Sequence, residues 1–218
     1  MHIITIDGPA SSGKGTVASI IAEKLGFHYL ESGAIYRVIG LVAKRNQFTL
    51  QDADKVLELI DVISLKFIDG KVILDGEDVT ALIRGEEIGM LASSLGSSQQ
   101  IRARLLDFQR SFAKEPGLVT DGRDMGSVVF PHASLKIFLT ASAQVRATRR
   151  YTQLKFKDTS ADYDAILSDI VTRDKQDSER VVAPLSYDDS FTVLDNSNLS
   201  VDETVASIIA CYNNIAQN

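Results

Sequence analysis

The sequence predicts an α/β fold with a central, mainly parallel sheet, and three observations lead to this prediction. Short apolar segments typical of buried strands alternate with longer segments whose apolar residues recur at helical spacing. Glycine, proline and serine cluster at the junctions between these segments. The length of 218 residues is enough for one core domain that carries a smaller inserted lobe.

The first part of the chain contains two strand–helix pairs. Residues 2–6 read as a buried strand, and the helix predicted over residues 14–25 is closed by Gly26. A second strand is predicted at residues 27–30. The helix that follows, over residues 34–45, has Ile35, Val38 and Ile39 on one face.

In the segment of residues 61–79 the pattern changes to alternation, with Ile63, Leu65 and Phe67 followed by the apolar run of residues 72–74. The pairs Asp69-Gly70 and Asp75-Gly76 are turn signals. This combination predicts a small antiparallel sheet, which we interpret as part of an inserted lobe.

The second half of the chain returns to alternating strands and helices. A helix is predicted over residues 100–113, and central strands at residues 118–120 and 135–139. Residues 146–180 form a charged helical stretch interrupted near residues 157–160. A last strand at residues 191–194 precedes a helix from Val201, for which Ser200 and Glu203 form a capping box.

Composition and charge narrow the class of protein. The hydrophobic share of 44% and the charged share of 24% are typical of a folded globular protein. The net charge of −6 argues against broad nucleic-acid binding, which needs a basic surface. We find no apolar run of membrane-spanning length, no basic leader and a single cysteine, and therefore expect a cytoplasmic protein. Because no long apolar stripe is left unassigned, we expect a monomer.

The loop of residues 8–16 carries the strongest functional signal. It has glycine at its first position, Gly-Lys after four intervening residues, and a hydroxyl residue shortly afterwards. Glycines permit close backbone approach, the helix N-terminus favours anions, and the lysine reaches terminal phosphates. We therefore expect this phosphate loop to bind ATP through Gly8, Pro9, Ala10, Ser11, Ser12, Gly13, Lys14, Gly15 and Thr16.

One departure from the usual phosphate-loop sequence narrows the class of nucleotide-binding protein further. The residue directly after Lys14 is Gly15, and the hydroxyl residue Thr16 comes one position later. This form is found in nucleoside monophosphate kinases, whereas GTPases typically lack it, and the chain has no Asn-Lys-x-Asp guanine signature. Thr16 and Asp121 are the candidate Mg²⁺ ligands, directly or through water.

Arginine motifs suggest where a phosphoryl acceptor binds. Arg37 lies in a turn of the helix just after the second strand, and Arg123 follows a buried strand, at the sheet edge where ligands collect. Arg123 is suited to clamp a phosphate, and Asp124 to accept hydrogen bonds from a base. Arg173, Asp177 and Arg180 share one helix face, although an exposed, ion-paired helix would give the same pattern. For Arg37, a solvated helix charge is the alternative.

Taken in order, these motifs resemble the bacterial cytidylate kinases, a family of P-loop nucleoside monophosphate kinases. The resemblance covers essentially the whole chain. It rests on residues 8–16, on Glu-Ser-Gly-Ala-Ile-Tyr-Arg at residues 31–37, on Asp-Gly-Arg-Asp-Met-Gly at residues 121–126 with Val-Val-Phe-Pro after it, and on residues 173–185. Glu31 takes the place where many relatives have Asp, a change that we expect to be tolerated.

The resemblance implies roles for individual residues. Lys14, Arg123 and Arg180 would be catalytic, and Arg149 and Arg150 would approach the ATP phosphates; the alternative for this last pair is an exposed charged helix face. Ser93, Arg102 and Asp124 would read the cytosine, and Arg173 and Asp177 would hold the ribose. Ser32, Arg37, Arg123 and Arg180 would surround the CMP phosphate, with Tyr36 in the same substrate-binding motif.

The resemblance also implies a P-loop NTPase-type three-layer sandwich. Residues 1–33, 93–145 and 181–218 would form the core ATP-binding domain, residues 34–92 the inserted acceptor lobe, and residues 146–180 a short helical lid and hinge. The implied reaction is direct in-line transfer of the γ-phosphate of ATP to CMP or dCMP, with Mg²⁺. Another small-molecule P-loop kinase, acting on a different nucleotide or on shikimate, and a nucleotide-dependent switch or scaffold are the alternatives.

Overall fold

The structure is a computed structural model, and it describes residues 1–49, 52–68, 70–155 and 161–216. Helices and strands alternate at the start and the end of the chain, and a short three-stranded segment with helices on both sides lies between them. In chain order they are β1 His2–Asp7, α1 Lys14–Leu25, β2 His28–Glu31, α2 Ser32–Arg45, α3 Ala53–Val62, β3 Leu65–Ile68, β4 Lys71–Leu74, β5 Glu77–Asp78, α4 Glu86–Leu95, α5 Gln99–Arg110, β6 Gly117–Gly122, β7 Leu135–Thr140, α6 Ala143–Lys155, α7 Tyr163–Glu179, β8 Thr192–Asp195 and α8 Val201–Ala216.

Within the described residues, five strands form one sheet in the order β2-β6-β1-β7-β8. Strand β1 pairs in parallel with β6 on one side and with β7 on the other, and β7 pairs in parallel with β8. The α/β fold class predicted from the sequence is therefore confirmed. The strands predicted at residues 118–120 and 135–139 are internal strands of the sheet, β6 and β7.

The chain forms two compact units. The first contains Met1–Leu30 and Phe112–Asn218, and the second contains Glu31–Ser111. In the first unit, α1 and α8 cover one face of the sheet, where Val17 and Ile208 belong to the same core cluster as Ile4, Ile6 and Ile137 of the strands. Residues such as Ile4 and Ile6 are fully buried because parallel strands are covered by helices.

The second unit contains the small antiparallel sheet predicted from the alternating segment. Strand β3 pairs with β4, and β4 pairs with β5. Val72 and Leu74 of β4 pack with Val38 and Val42 of α2 in the core of this unit. The turn predicted at Asp69-Gly70 lies partly outside the described residues, because Asp69 is not among them.

Several predicted boundaries shift by a few residues. The helix predicted over residues 100–113 is α5, which ends at Arg110. The charged stretch of residues 146–180 forms α6 and α7, and the interruption predicted near residues 157–160 lies outside the described residues. The predicted capping box is present, since Ser200 Oγ accepts from the Glu203 amide at 3.2 Å and Glu203 accepts from the Ser200 amide at 2.8 Å.

Helices α3 and α4 were not predicted, and neither was the π-helical turn Met125–Val129 after β6. Across the described ranges, we find no helix with both the length and the hydropathy that a membrane span requires.

Candidate functional site

The loop of residues 8–16 connects the buried strand β1 to helix α1, the arrangement that the sequence predicts. A side chain at Gly8 would place its Cβ only 2.1 Å from the Leu139 carbonyl oxygen, so this position requires glycine. Gly13 has a φ of 90°, in the left-handed region, and directly precedes the first residue of α1. The course of the loop therefore depends on close backbone packing at Gly8 and on a left-handed backbone conformation at Gly13.

The helix end at this loop has the features of an anion site. The first amide groups of a helix have no partner within the helix, and the helix dipole adds partial positive charge there. No side chain of the described residues caps the N-terminus of α1. Ser12 is fully buried, and its hydroxyl has no hydrogen-bond partner among the described residues. The loop therefore leaves polar groups that a phosphate could satisfy.

Lys14 lies at the start of α1, and its ammonium donates to the Pro9 carbonyl at 3.0 Å. Burial of this ammonium and the nearby positive charge of Arg123 lower the pKa of Lys14 to about 7, although Asp121 acts in the opposite direction. Arg173 lowers the pKa as well, and Asp177 raises it. The charges predicted on the acceptor side thus lie close enough to Lys14 to influence its protonation.

Asp121, one of the two candidate Mg²⁺ ligands, is 5% exposed near the end of β6. The Tyr29 hydroxyl of β2 donates to Asp121 Oδ1 at 2.8 Å. A Cβ at Gly15 would lie 3.8 Å from Asp121 Oδ2, so the carboxylate lies beside the first turn of α1. Thr16, the other candidate ligand, is exposed in that turn.

A group of three or more His, Cys, Asp or Glu side chains arranged to hold a metal is absent from the described residues. A single buried carboxylate next to a phosphate loop is nevertheless the donor set that suits Mg²⁺, which takes few protein ligands and completes its shell with water and phosphate oxygens.

Arg123, Asp177 and Arg180 form a charged cluster in the first unit. Arg123 Nε donates to Asp177 Oδ2 at 2.7 Å, and Arg180 Nη1 lies 3.8 Å from Asp177 Oδ1. Burial alone would raise the pKa of Asp177, but Arg123, Arg173 and Arg180 together hold that pKa below its usual value. The exposed, ion-paired helix considered as an alternative does not describe this cluster, since Asp177 is only 4% exposed.

Asp7 at the end of β1 supports the segment after Arg123. Its two carboxylate oxygens accept hydrogen bonds from the amides of Met125 and Gly126, at 2.9 and 2.7 Å. Burial, with a smaller contribution from Asp124, raises the pKa of Asp7 to about 7 against the opposing effect of these hydrogen bonds. Asp124 itself is 3% exposed. Asp7 therefore positions the backbone next to two predicted substrate-binding residues.

Arg149 and Arg150 lie on α6, both partly buried. Arg149 Nη1 donates to the Ser12 carbonyl at 3.2 Å, and its guanidinium also donates to the side-chain and backbone oxygens of Asn196 at 3.1 and 2.8 Å. Asn196 Nδ2 donates to the same Ser12 carbonyl at 3.0 Å. Arg149 is thus next to the phosphate loop, as expected of a residue that approaches ATP phosphates.

The remaining predicted substrate residues lie in the second unit. Gln109 Nε2 of α5 donates to the Ser32 hydroxyl at 3.0 Å. The guanidinium of Arg102 lies 5.6 Å from the centre of the Tyr36 ring. Arg37 Nη1 donates to the carbonyls of Ile83 and Gly85, at 2.8 and 3.2 Å.

Ser93, also predicted to read the base, is partly buried on α4 of the same unit. On α2, Ser32, Tyr36 and Arg37 lie at spacings of four and one, so Ser32 and Tyr36 share a helix face. The side chains of Arg37 and Arg102 are held by backbone carbonyls, Arg102 by that of Gly96 at 3.0 Å, which reduces the ordering that a bound ligand would have to impose.

Sequence analysis missed four residues that support the site: Asp7, Tyr29, Arg146 and Asn196. Asp7 had a detectable signal, because it directly precedes the first glycine of the phosphate loop. Arg146 is one helical turn before Arg149, a spacing that marks a shared face. Tyr29 and Asn196 carried no local signal, since their partners Asp121 and Ser12 are distant in sequence.

Comparisons with known proteins identify a family for nearly the whole chain. The family model described as cytidylate kinase matches residues 4–214. The cytidylate kinase of Paraburkholderia xenovorans (strain LB400) is 49% identical over 210 residues, covering 96% of this chain and 92% of the relative. That of Chromobacterium violaceum is also 49% identical over 210 residues, covering 96% of this chain and 95% of the relative.

Among solved structures, a gluconokinase from Sinorhizobium meliloti 1021 superposes with a TM-score of 0.53, covering 100% of this chain and 94% of that one. Its sequence identity is 14%, so this likeness supports the fold alone. The family match and the identity to the cytidylate kinases show more than the fold. They show, in agreement with the phosphate loop and the charged cluster, that the chain belongs to the cytidylate kinase family.

Proposed function

We propose that this protein transfers the γ-phosphate of ATP directly to CMP and dCMP, giving ADP and CDP or dCDP. The observation that carries the proposal is the environment of Lys14. Its ammonium lies at the phosphate loop, and its pKa responds to Arg123, Asp121, Arg173 and Asp177. Phosphoryl transfer depends mainly on alignment and charge neutralisation, and this set of charges is suited to both.

The donor half of the proposal assigns ATP to residues 8–16 together with Arg149 and Arg150. Backbone amides of the loop and of the first turn of α1 bind the phosphates, and Lys14 contacts the terminal ones. Thr16 and Asp121 hold Mg²⁺, directly or through water, with Tyr29 fixing one oxygen of Asp121. When bound, Mg²⁺ neutralises charge on the phosphate oxygens.

The acceptor half assigns the CMP phosphate to Ser32, Arg37, Arg123 and Arg180. Ser93, Arg102 and Asp124 bind the cytosine, Arg173 and Asp177 bind the ribose, and Tyr36 completes the set. Asp177 supports two of these functions, because it also orients Arg123 through the 2.7 Å hydrogen bond. Arg180 is held similarly, since its Nε donates to the Ala183 carbonyl at 2.6 Å.

Catalysis is assigned to Lys14, Arg123 and Arg180, which stabilise negative charge on the transferred group. The proposed transfer uses no protein nucleophile. Residues 1–33, 93–145 and 181–218 are proposed as the core ATP-binding domain, residues 34–92 as the acceptor lobe and residues 146–180 as the lid and hinge. The proposed compartment is the cytoplasm.

A coupled ADP-release assay across acceptors tests the proposal against its alternatives. We expect rapid ADP release with CMP and dCMP, weaker release with UMP and AMP, and background release without an acceptor. A kinase for another small molecule would show no preference for CMP over AMP, and a nucleotide-dependent switch would show no acceptor dependence. Either result would contradict the proposal.

A further inference from the structure

Arg146 is a buried arginine on the first turn of α6, with a side chain that is 5% exposed. Its Nη1 donates to the Ala10 carbonyl of the phosphate loop at 3.1 Å, and its Nε donates to the Ala141 carbonyl after β7 at 2.9 Å. The same guanidinium forms a two-pronged ion pair with Asp174 of α7, at 3.0 and 2.5 Å. One side chain thus contacts the phosphate loop, the residue that follows β7, and α7.

The ion pair links Arg146 to the helix α7, which carries the predicted substrate-binding residues Arg173 and Asp177. Asp174 follows Arg173 directly and lies three residues before Asp177, on the same helix face. Asp177 is in turn bonded to Arg123, the residue after β6. Two sets of hydrogen bonds, Ala10–Arg146–Asp174 and Asp177–Arg123, are therefore joined by a single turn of α7.

We infer that the Arg146–Asp174 pair is a positioning pair for phosphoryl transfer. It holds the phosphate loop in register with the face of α7 that carries Arg173 and Asp177. Arg146 is suited to this because the planar guanidinium donates in several fixed directions at once, which a lysine ammonium does not reproduce. The inference rests on the proposed function and adds to it two residues that act without contacting substrate.

A positioning pair and a directly binding pair make different kinetic predictions. Misalignment of donor and acceptor lowers kcat because the transition state loses its geometry, while binding of each ground-state substrate changes little. Loss of a direct ATP contact instead raises the KM for ATP. Loss of stability alone lowers the unfolding temperature but leaves kcat normal well below it.

The variants Asp174→Asn and Arg146→Lys, with the double variant, separate these cases. Asp169→Asn is the matched control, because Asp169 is exposed on the same helix and undergoes the same charge change. Initial rates with ATP and CMP would be measured for every protein at one common temperature, about 20 °C below the lowest unfolding temperature in the set, where the folded state dominates. If Arg146→Lys fails to fold, Asp174→Asn alone carries the test, since the Asp174 side chain is 27% exposed.

We expect Asp174→Asn and Arg146→Lys each to lower kcat at least about tenfold, with both KM values within about threefold of wild type. The double variant should be no worse than about threefold below the poorer single variant, because either change already breaks the pair. Asp169→Asn should retain wild-type kcat.

Three results would overturn the inference: wild-type kcat in Asp174→Asn, a rise in the KM for ATP at unchanged kcat in Arg146→Lys, or losses that multiply in the double variant. A parallel assay of the wild-type protein distinguishes failure of the proposed function from failure of the positioning-pair inference. Absence of CMP-dependent ADP release from wild type contradicts the proposed function, whereas a normal wild type with an unaffected Asp174→Asn variant contradicts only the positioning pair.

Discussion

Asp7 directly precedes the phosphate loop and Lys14 lies within it; the pKa of Asp7 is raised to about 7, and that of Lys14 is lowered to about 7. Burial is the largest cause for both, since it disfavours the charged form of an acid and of a base alike. A bound phosphate would favour the charged form of Lys14. In the ligand-free protein, burial therefore disfavours the charged forms of both Asp7 and Lys14.

The first residue-scale prediction concerns Lys14. Lys14→Ala should lower kcat about 1,000-fold or more, equivalent to about 4 kcal/mol of transition-state stabilisation. The fold should remain intact, because burial already disfavours the Lys14 ammonium in the ligand-free protein. Coupled ADP release measures the rate, and circular dichroism checks the fold. Lys24→Ala, an exposed lysine on the same helix, is the control; a folded Lys14→Ala enzyme with normal kcat would refute the role.

The second residue-scale prediction concerns pH. The pKa of Asp7 is raised by folding, so its stabilising contribution is complete below about pH 4 and is lost as the pH rises through 7. This contribution should fall by up to about 1.4 kcal/mol per pH unit between about pH 5 and 7.

Urea unfolding at a series of pH values measures this slope. Asp7→Asn should remove the slope, whereas exposed Asp189→Asn should retain it. The same pH slope in Asp7→Asn and in wild type would show that Asp7 does not carry the effect.

At the scale of the element, the helices and strands with the strongest local sequence signals were predicted most accurately. Helix α1 begins and ends at the predicted residues because Gly13 and Gly26, both in the left-handed region, limit it on either side. Helix α4 was missed because Gly89 interrupts its helical pattern. A Cβ at Gly89 would lie 2.9 Å from Nη2 of Arg37, so this glycine leaves room for the guanidinium. A neighbour that comes from a different helix leaves no signal in the local sequence.

The element-scale prediction concerns the capping box of α8. Ser200→Ala should lower the free energy of unfolding by about 1 kcal/mol, because the Glu203 amide would lose its side-chain acceptor. The catalytic rate should not change. Denaturant unfolding measures the effect, with Ser207→Ala further along the same helix as the control. Equal stability of the two variants would mean that the box does not stabilise this helix.

At the scale of the whole molecule, the phosphate loop could be predicted because its motif lies in one short segment of sequence. The residues that support the loop and its neighbouring segment could not be predicted, because their partners are distant in sequence. Asp7 and Met125 are 118 residues apart, and Asn196 and Ser12 are 184 apart. Strand order brings these residues together, and periodicity in one sequence carries no information about strand order. The predicted acceptor lobe of residues 34–92 falls inside the compact unit Glu31–Ser111.

The whole-molecule prediction concerns assembly. We expect a monomer of 23.8 kDa in solution, because the sequence leaves no long apolar stripe unassigned. Size-exclusion chromatography with light scattering measures the mass directly, across a range of protein concentrations. A mass twice that value at micromolar concentration would contradict the expectation.

The central claim is transfer of the γ-phosphate from ATP to CMP, and phosphorus NMR of the reaction mixture tests it by identifying the phosphoryl acceptor. With ATP, Mg²⁺ and CMP, we expect CDP and ADP to appear in equal amounts, with no inorganic phosphate beyond background. Production of ADP and inorganic phosphate without CDP would contradict the account, because it would show that water, and not CMP, accepts the phosphoryl group.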